Sequence, residues 1–151
     1  MPKKILFVCT GNTCRSPMAE GLLKKMAREN QLPVEVQSAG LAAFAGVPPA
    51  PEAVEACGER GVDISSHQTQ PLSKTLVMDS DLILTMTEKH KEMILKKMPA
   101  LLEKVRLLSD FAGAGVEDIE DPVGQGVEVY RKVLDQMQRY LTKALEKLKA
   151  G

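Results

Sequence analysis

The stretch Ile5-Leu6-Phe7-Val8-Cys9-Thr10-Gly11-Asn12-Thr13-Cys14-Arg15-Ser16 decides how this chain is read. Residues 4 to 9 carry a continuous apolar run, the pattern of a short strand buried on both faces of a sheet. Residues 15 to 30 then place Met18, Leu22, Leu23 and Met26 at helical spacing, with Pro17 in the first turn, and predict a helix. Between strand and helix lies a compact loop that starts at a thiol and closes, after five residues, on an arginine. A loop in that position turns backbone N–H groups inward, and the helix behind it adds its positive end, so the two together make an anion site. Gly11 and Asn12 are types that tolerate a left-handed backbone, as a tight curl requires. Arg15 can bond two phosphate oxygens at once, and the same positive field stabilises a thiolate at Cys9. Ser16 is placed to donate its hydroxyl to that sulfur when it leaves. A lone cysteine would be read as a small core residue. With a strand before it and Arg15 at this spacing, Cys9 is a candidate nucleophile toward a bound phosphoryl group. No Gly-Lys-Ser/Thr closes the loop, so it is not an ATP site.

Working outward, Val34 to Gln37 alternates as a strand and meets Ser38-Ala39-Gly40, a turn signal. Pro48-Pro49-Ala50-Pro51 opens a helix that stops near residues 58 to 61. Asp81 to Met86 is a second buried strand of the DLILTM type. A helix follows from Thr87, as N-cap, to Met98, where Pro99 ends it. Lys104 to Leu108 gives a fourth strand, and Ser109 to Gln125 reads as a long polar loop holding Asp121-Pro122. The final helix starts near Gly126 and buries Val127, Tyr130, Leu134, Met137, Leu141, Leu145 and Leu148. Alternating strands and helices define an α/β fold, one domain over residues 1–151, with a parallel sheet and helices on both faces.

Twenty basic residues balance twenty acidic ones in a chain of 151, which leaves no global field for nucleic acid or anionic lipid. Three Phe and two Tyr are too few for a base-stacking surface. The amino-terminal apolar run is too short for a signal peptide or a membrane span, and three cysteines make a poor disulfide framework. The expected setting is the reducing cytoplasm, with no nucleic acid or membrane partner. His67 and His90 lie far apart and no close cysteine pair joins them, so neither a metal site nor a cofactor is expected. Cys57 reads as core. His90, within Glu88-Lys89-His90-Lys91, is expected on the surface of a polar helix face.

Val8 to Glu20, Ser38-Ala39-Gly40, Asp81 to Met86 and Asp121-Pro122 together resemble the low-molecular-weight tyrosine phosphatase family, and within it most closely the bacterial protein arginine phosphatases. The resemblance covers nearly the whole chain. It implies a four-stranded parallel sheet, with Cys9 as nucleophile, Arg15 as the phosphoryl-binding residue and Asp121 as general acid. It further implies that Asn12, Ser38 and His67 brace a loop made of Thr10, Gly11, Asn12, Thr13 and Cys14, and that Ser16 assists the leaving thiolate. Proton donation by a mobile loop carboxylate suits that chemistry, and glycines at 113, 115 and 124 surround Asp121.

Substrate choice turns on departures from the tyrosine-directed pattern. Those relatives carry an aromatic pair after Asp-Pro, whereas this chain has Val123 and Gly124. Phe44 is the one aromatic near that rim by sequence position. Thr13 matches the arginine-directed relatives, so Thr13 and Asp121 are the expected selectivity residues, the first setting the height of a guanidinium and the second bonding its N–H groups. Cys14 lies five residues from Cys9, and a Cys9–Cys14 disulfide would switch the site off reversibly. Phosphorylated proteins acted on by a monomer are the expected partners. The alternatives are a tyrosine phosphatase, an arsenate reductase and a non-catalytic phosphoprotein-binding module. The reductase needs further downstream cysteines, and none follows Cys57. Simple binding requires neither Cys9 nor Asp121.

Overall fold

The apolar run that opens the chain forms strand β1, Lys3–Cys9, at the middle of the sheet. The computed structural model describes residues 2–151. The remaining strands are β2 (Val34–Gly40), β3 (Leu82–Thr85) and β4 (Val105–Leu107). They lie in the order β2-β1-β3-β4, all parallel. The helices are α1 (Arg15–Glu29), α2 (Pro51–Gly58), α3 (Lys74–Asp79), α4 (Glu88–Lys97), α5 (Leu108–Phe111) and α6 (Val127–Ala150).

Strand alternation divides the apolar side chains between two layers. Ile5, Phe7 and Cys9 face the core built with α1, α2, α5 and α6, while Leu6 and Val8 face α3 and α4. Because both faces are covered, β1 has no polar side, which is why its sequence is a run rather than an alternation. On α6 the residues Tyr130, Leu134, Met137, Leu141, Leu145 and Leu148 are buried as one stripe. Each fully buried large apolar side chain contributes about 1.5–3 kcal/mol, so this stripe fixes α6 across the sheet. Among the described residues, no helix is long and apolar enough to cross a membrane.

Three elements depart from the sequence reading. Ser38-Ala39-Gly40 continues β2 instead of turning, because Phe7, Val8 and Cys9 offer it parallel partners. Gly40 is required there by close approach: a Cβ would lie 2.6 Å from the Thr10 carbonyl oxygen and 3.0 Å from Asn12 N. Lys74–Asp79 is helical, capped by Ser73 Oγ accepting from Leu76 N–H at 3.1 Å. The segment expected to be loop from Ser109 begins inside α5, whose single turn is held by the burial of Leu108 and Phe111. Both helices are too short to form alone, so tertiary packing decides them.

Candidate active site

The loop after β1 sits at the carboxyl end of the sheet, beside the crossover from β2 to β3 where parallel sheets hold their ligands. Five of its carbonyls have backbone or side-chain donors. Cys9 O accepts from Leu41 N–H and Thr10 O from Ala42 N–H, each at 2.9 Å. Asn12 O accepts from His67 Nε2 at 3.0 Å, Thr13 O from Ala50 N–H at 2.9 Å and Cys14 O from Met18 N–H at 3.1 Å. In a trans peptide the carbonyl and the following N–H point in opposite directions, and no peptide of the described residues is cis. The amides of Thr10, Gly11, Thr13, Cys14 and Arg15 therefore aim away from these partners, as a phosphate cradle requires.

Asn12 is the centre of the curl. It is fully buried and has a φ of 60°; Gly11, expected to share the left-handed conformation, does not adopt it. The Asn12 amide donates to Ser16 Oγ at 2.8 Å and to Ser38 Oγ at 2.9 Å, and Oδ1 accepts Gln70 N–H at 2.9 Å. Ser38 Oγ in turn donates to Glu20 Oε1 at 2.6 Å, and His67 Nδ1 stands 3.9 Å from the same oxygen. Asn12, Ser38 and His67 thus meet around one loop, and His67 is not the solvent-facing imidazole that its neighbours in sequence suggest. Glu20 and Gln70 complete the network. Nothing in the residues around Gln70 marks it as part of this network.

Cys9 Sγ receives two polar contacts, Ser16 Oγ at 2.8 Å and Asn12 N–H at 3.3 Å. Arg15 is buried, donates Nη1–H to Ile119 O at 2.9 Å and holds Nη2 3.6 Å from Asp121 Oδ2. Cys9, Arg15 and Asp121 line one pocket of about 200 Å³ with Thr10, Thr13 and Val123 among its walls. No lining residue is aromatic, and Phe44 is 80% exposed outside it. A larger cleft behind the loop reaches Glu20 and His67 from the other side, but it contains neither Cys9 nor Arg15.

Cys14 is buried with its Sγ 3.3 Å from the Tyr130 hydroxyl and 3.6 Å from Thr13 Oγ1. Burial pushes this thiol up, against the hydrogen bonds from Tyr130 and Thr13. Burial likewise raises Cys57 to about 12, in keeping with a core thiol, and all three cysteines are unpaired.

His90 corrects the sequence reading outright. It is buried, not at the surface. Its Nε2 bonds Thr10 Oγ1 at 3.0 Å, while Nδ1 accepts Thr87 N–H at 3.2 Å. Polar neighbours at Glu88, Lys89 and Lys91 masked it; the usable signal was the Thr87-to-His90 spacing, which is that of a capping box.

A curled loop that runs from a buried cysteine to a buried arginine, at the carboxyl end of a four-stranded parallel sheet, defines a class. Residues 4–151 match the family model for low molecular weight phosphotyrosine protein phosphatase, and the chain belongs to that family. A protein-arginine-phosphatase of Bacillus subtilis is 38% identical over 145 residues, covering 96% of each chain. A probable low molecular weight protein-tyrosine-phosphatase, EpsP of Ralstonia nicotianae, is 41% identical over 140 residues, covering 92% of this chain and 91% of that one. Among solved structures, the YwlE arginine phosphatase in a cysteine-to-serine mutant with phosphorylated active site serine matches at TM-score 0.93 and 37% identity. It covers 97% of this chain and 95% of the other. Overall identity therefore does not separate arginine from tyrosine as substrate.

Proposed function

We propose that this chain is a protein phosphatase, one domain over residues 1–151, that hydrolyses phosphoarginine in proteins through a cysteinyl-phosphate intermediate. The observation that carries the reading is the meeting of Cys9 Sγ, the buried Arg15 guanidinium and Asp121 in one pocket, at a loop five of whose carbonyls are held away from it. The phosphoryl group sits on the inward amides and Arg15, and its oxygens compete with Asp121 for Nη2. The Cys9 thiolate attacks phosphorus in line with the scissile P–N bond. Asp121 gives its proton to the departing guanidine nitrogen, so the P–N bond breaks as the S–P bond forms. Water then attacks the phosphocysteine, Asp121 takes its proton, and the sulfur leaves as a thiolate stabilised by Ser16 Oγ and Asn12 N–H.

The arginine preference rests on the walls. A phenyl ring is gripped by apolar aromatic contact. This pocket supplies none, offering Thr13, Val123 and the Asp121 carboxylate instead. Identity to relatives named as tyrosine phosphatases supports the second reading, phosphotyrosine hydrolysis by the same chemistry. The intermediate is tested by acid-quenched mass spectrometry during turnover, which should find phosphate on Cys9. Cys9→Ser should lose turnover yet still bind vanadate, and Asp121→Asn should slow basic leaving groups by ~10²–10⁴-fold. Phosphate on any other residue, or an active Cys9→Ser variant, overturns the reading.

Peroxide regulates the same site in this account. It converts the Cys9 thiolate to a sulfenic acid, and Cys14 Sγ, leaving Tyr130, attacks that sulfur and releases water to form the disulfide. Inactivation by excess peroxide should be reversed by thiols in the native chain, whereas in Cys14→Ser a second peroxide oxidises the unprotected sulfenic acid to a sulfinic acid that thiols do not reduce. Equal recovery of both would contradict it.

A further inference from the structure

Outside the braces already described, one buried hydrogen-bonding group touches the phosphate loop from the far side of the sheet. His90 occupies the third position of α4 and closes a capping box with Thr87: Thr87 Oγ1 accepts His90 N–H at 3.1 Å, and His90 Nδ1 accepts Thr87 N–H at 3.2 Å. The second bond fixes the tautomer. With Nδ1 used as an acceptor, the ring proton lies on Nε2, which can only donate, and it faces Thr10 Oγ1 at 3.0 Å. The same helix end also holds the loop that carries Asp121. Glu88 N–H donates to Asp118 Oδ1, and Ile119 N–H donates to Met86 O, each at 2.9 Å. Ile119 O is the acceptor for Arg15 Nη1.

We propose that His90 is a positioning residue for catalysis, locking Thr10 through its Nε2–H so that the first turn of α4 holds the phosphate loop and the Asp121 loop in one register. The inference rests on the phosphatase reading. Thr10 immediately follows Cys9, and its carbonyl is already tied to Ala42, so its hydroxyl is the remaining handle by which the edge of the cradle can be set. A cradle held by several independent bonds pre-organises its amides at no cost when the anion arrives.

A glutamine at position 90 keeps both functions, because its amide offers an acceptor and a donor and Thr-x-x-Gln is itself a capping box. The test uses the whole chain and two readouts: vanadate affinity, and kcat and KM on an aryl phosphate well below the melting temperature. His90→Ala should weaken vanadate binding by about tenfold and lower kcat, the scale set by losing one positioning hydrogen bond. His90→Gln should restore both. Thr10→Val should reproduce the His90→Ala loss and add little to it in the double variant. Thr87→Ala, which weakens the helix cap while leaving both imidazole bonds available, should lower thermal stability with vanadate affinity unchanged. If His90→Ala binds vanadate like the native chain, or if Thr87→Ala weakens binding as much, His90 merely stabilises α4 and the proposal fails. A native chain that hydrolyses neither an aryl phosphate nor a phosphoarginine peptide would instead contradict the functional reading, which separates the two failures.

Discussion

Thr13 stands in the pocket wall, its hydroxyl 3.6 Å from Cys14 Sγ and its carbonyl anchored by Ala50 N–H. It is fixed by the backbone and free to act through its size. Replacing Thr13 by Ile adds bulk beside Cys9 without disturbing the Ala50 bond. A guanidinium, thin and short of reach, should be crowded, whereas a phenyl ring held farther out should tolerate the change. The arginine-to-tyrosine ratio of kcat/KM should fall by at least ~10-fold, or about 1.4 kcal/mol, in parallel assays of the two phosphopeptides. An unchanged ratio would place selectivity elsewhere. Individual residues were legible in proportion to their locality. Cys9, Arg15 and Ser16 lie within one loop and its helix, so the spacing revealed them. The period of the last helix marks Tyr130 only as part of a buried stripe; that its hydroxyl reaches Cys14 Sγ, 116 positions away in the chain, is a tertiary fact.

The first turn of α4 has a measurable acid weakness. His90 is buried, and burial together with the Arg15 charge lowers it from 6.5 to about 4, while Asp118 and Asp121 pull the other way. The sign follows from proton counting. Between about 4 and 6.5 the unfolded chain holds a proton that the folded chain excludes, so stability rises with pH across that window. It is fully present above the unfolded value and is lost on acidification, by ~3 kcal/mol in all. Denaturant titrations of the native chain and His90→Gln at neutral pH and near pH ~4.5 should show the native chain losing more on acidification. Equal losses would mean that His90 does not carry the effect. Elements long enough to show their own period, such as α1 and α6, were readable in the sequence. α3 and α5 were not, since a helix of one or two turns has too few residues to display periodicity. Residues 38–40 read as a turn from composition, and become strand only because β1 pairs with them.

As a whole molecule, the chain brings the three proposed reacting groups to one end of its sheet: Cys9 from the central strand, Arg15 from α1 and Asp121 from the segment before α6. The order of strands was not in the sequence, but the alternation of strand and helix was, and it suffices to put the first loop at the ligand-binding edge. The near-equal kinship to relatives named for arginine and for tyrosine leaves the choice of substrate to the pocket walls. One preparation of the native chain should therefore be assayed for kcat/KM on two peptides of matched sequence, one bearing phosphoarginine and one phosphotyrosine, with Cys9→Ser as the blank. The account predicts that the phosphoarginine peptide is hydrolysed with the higher kcat/KM. Equal or faster turnover of the phosphotyrosine peptide would contradict it.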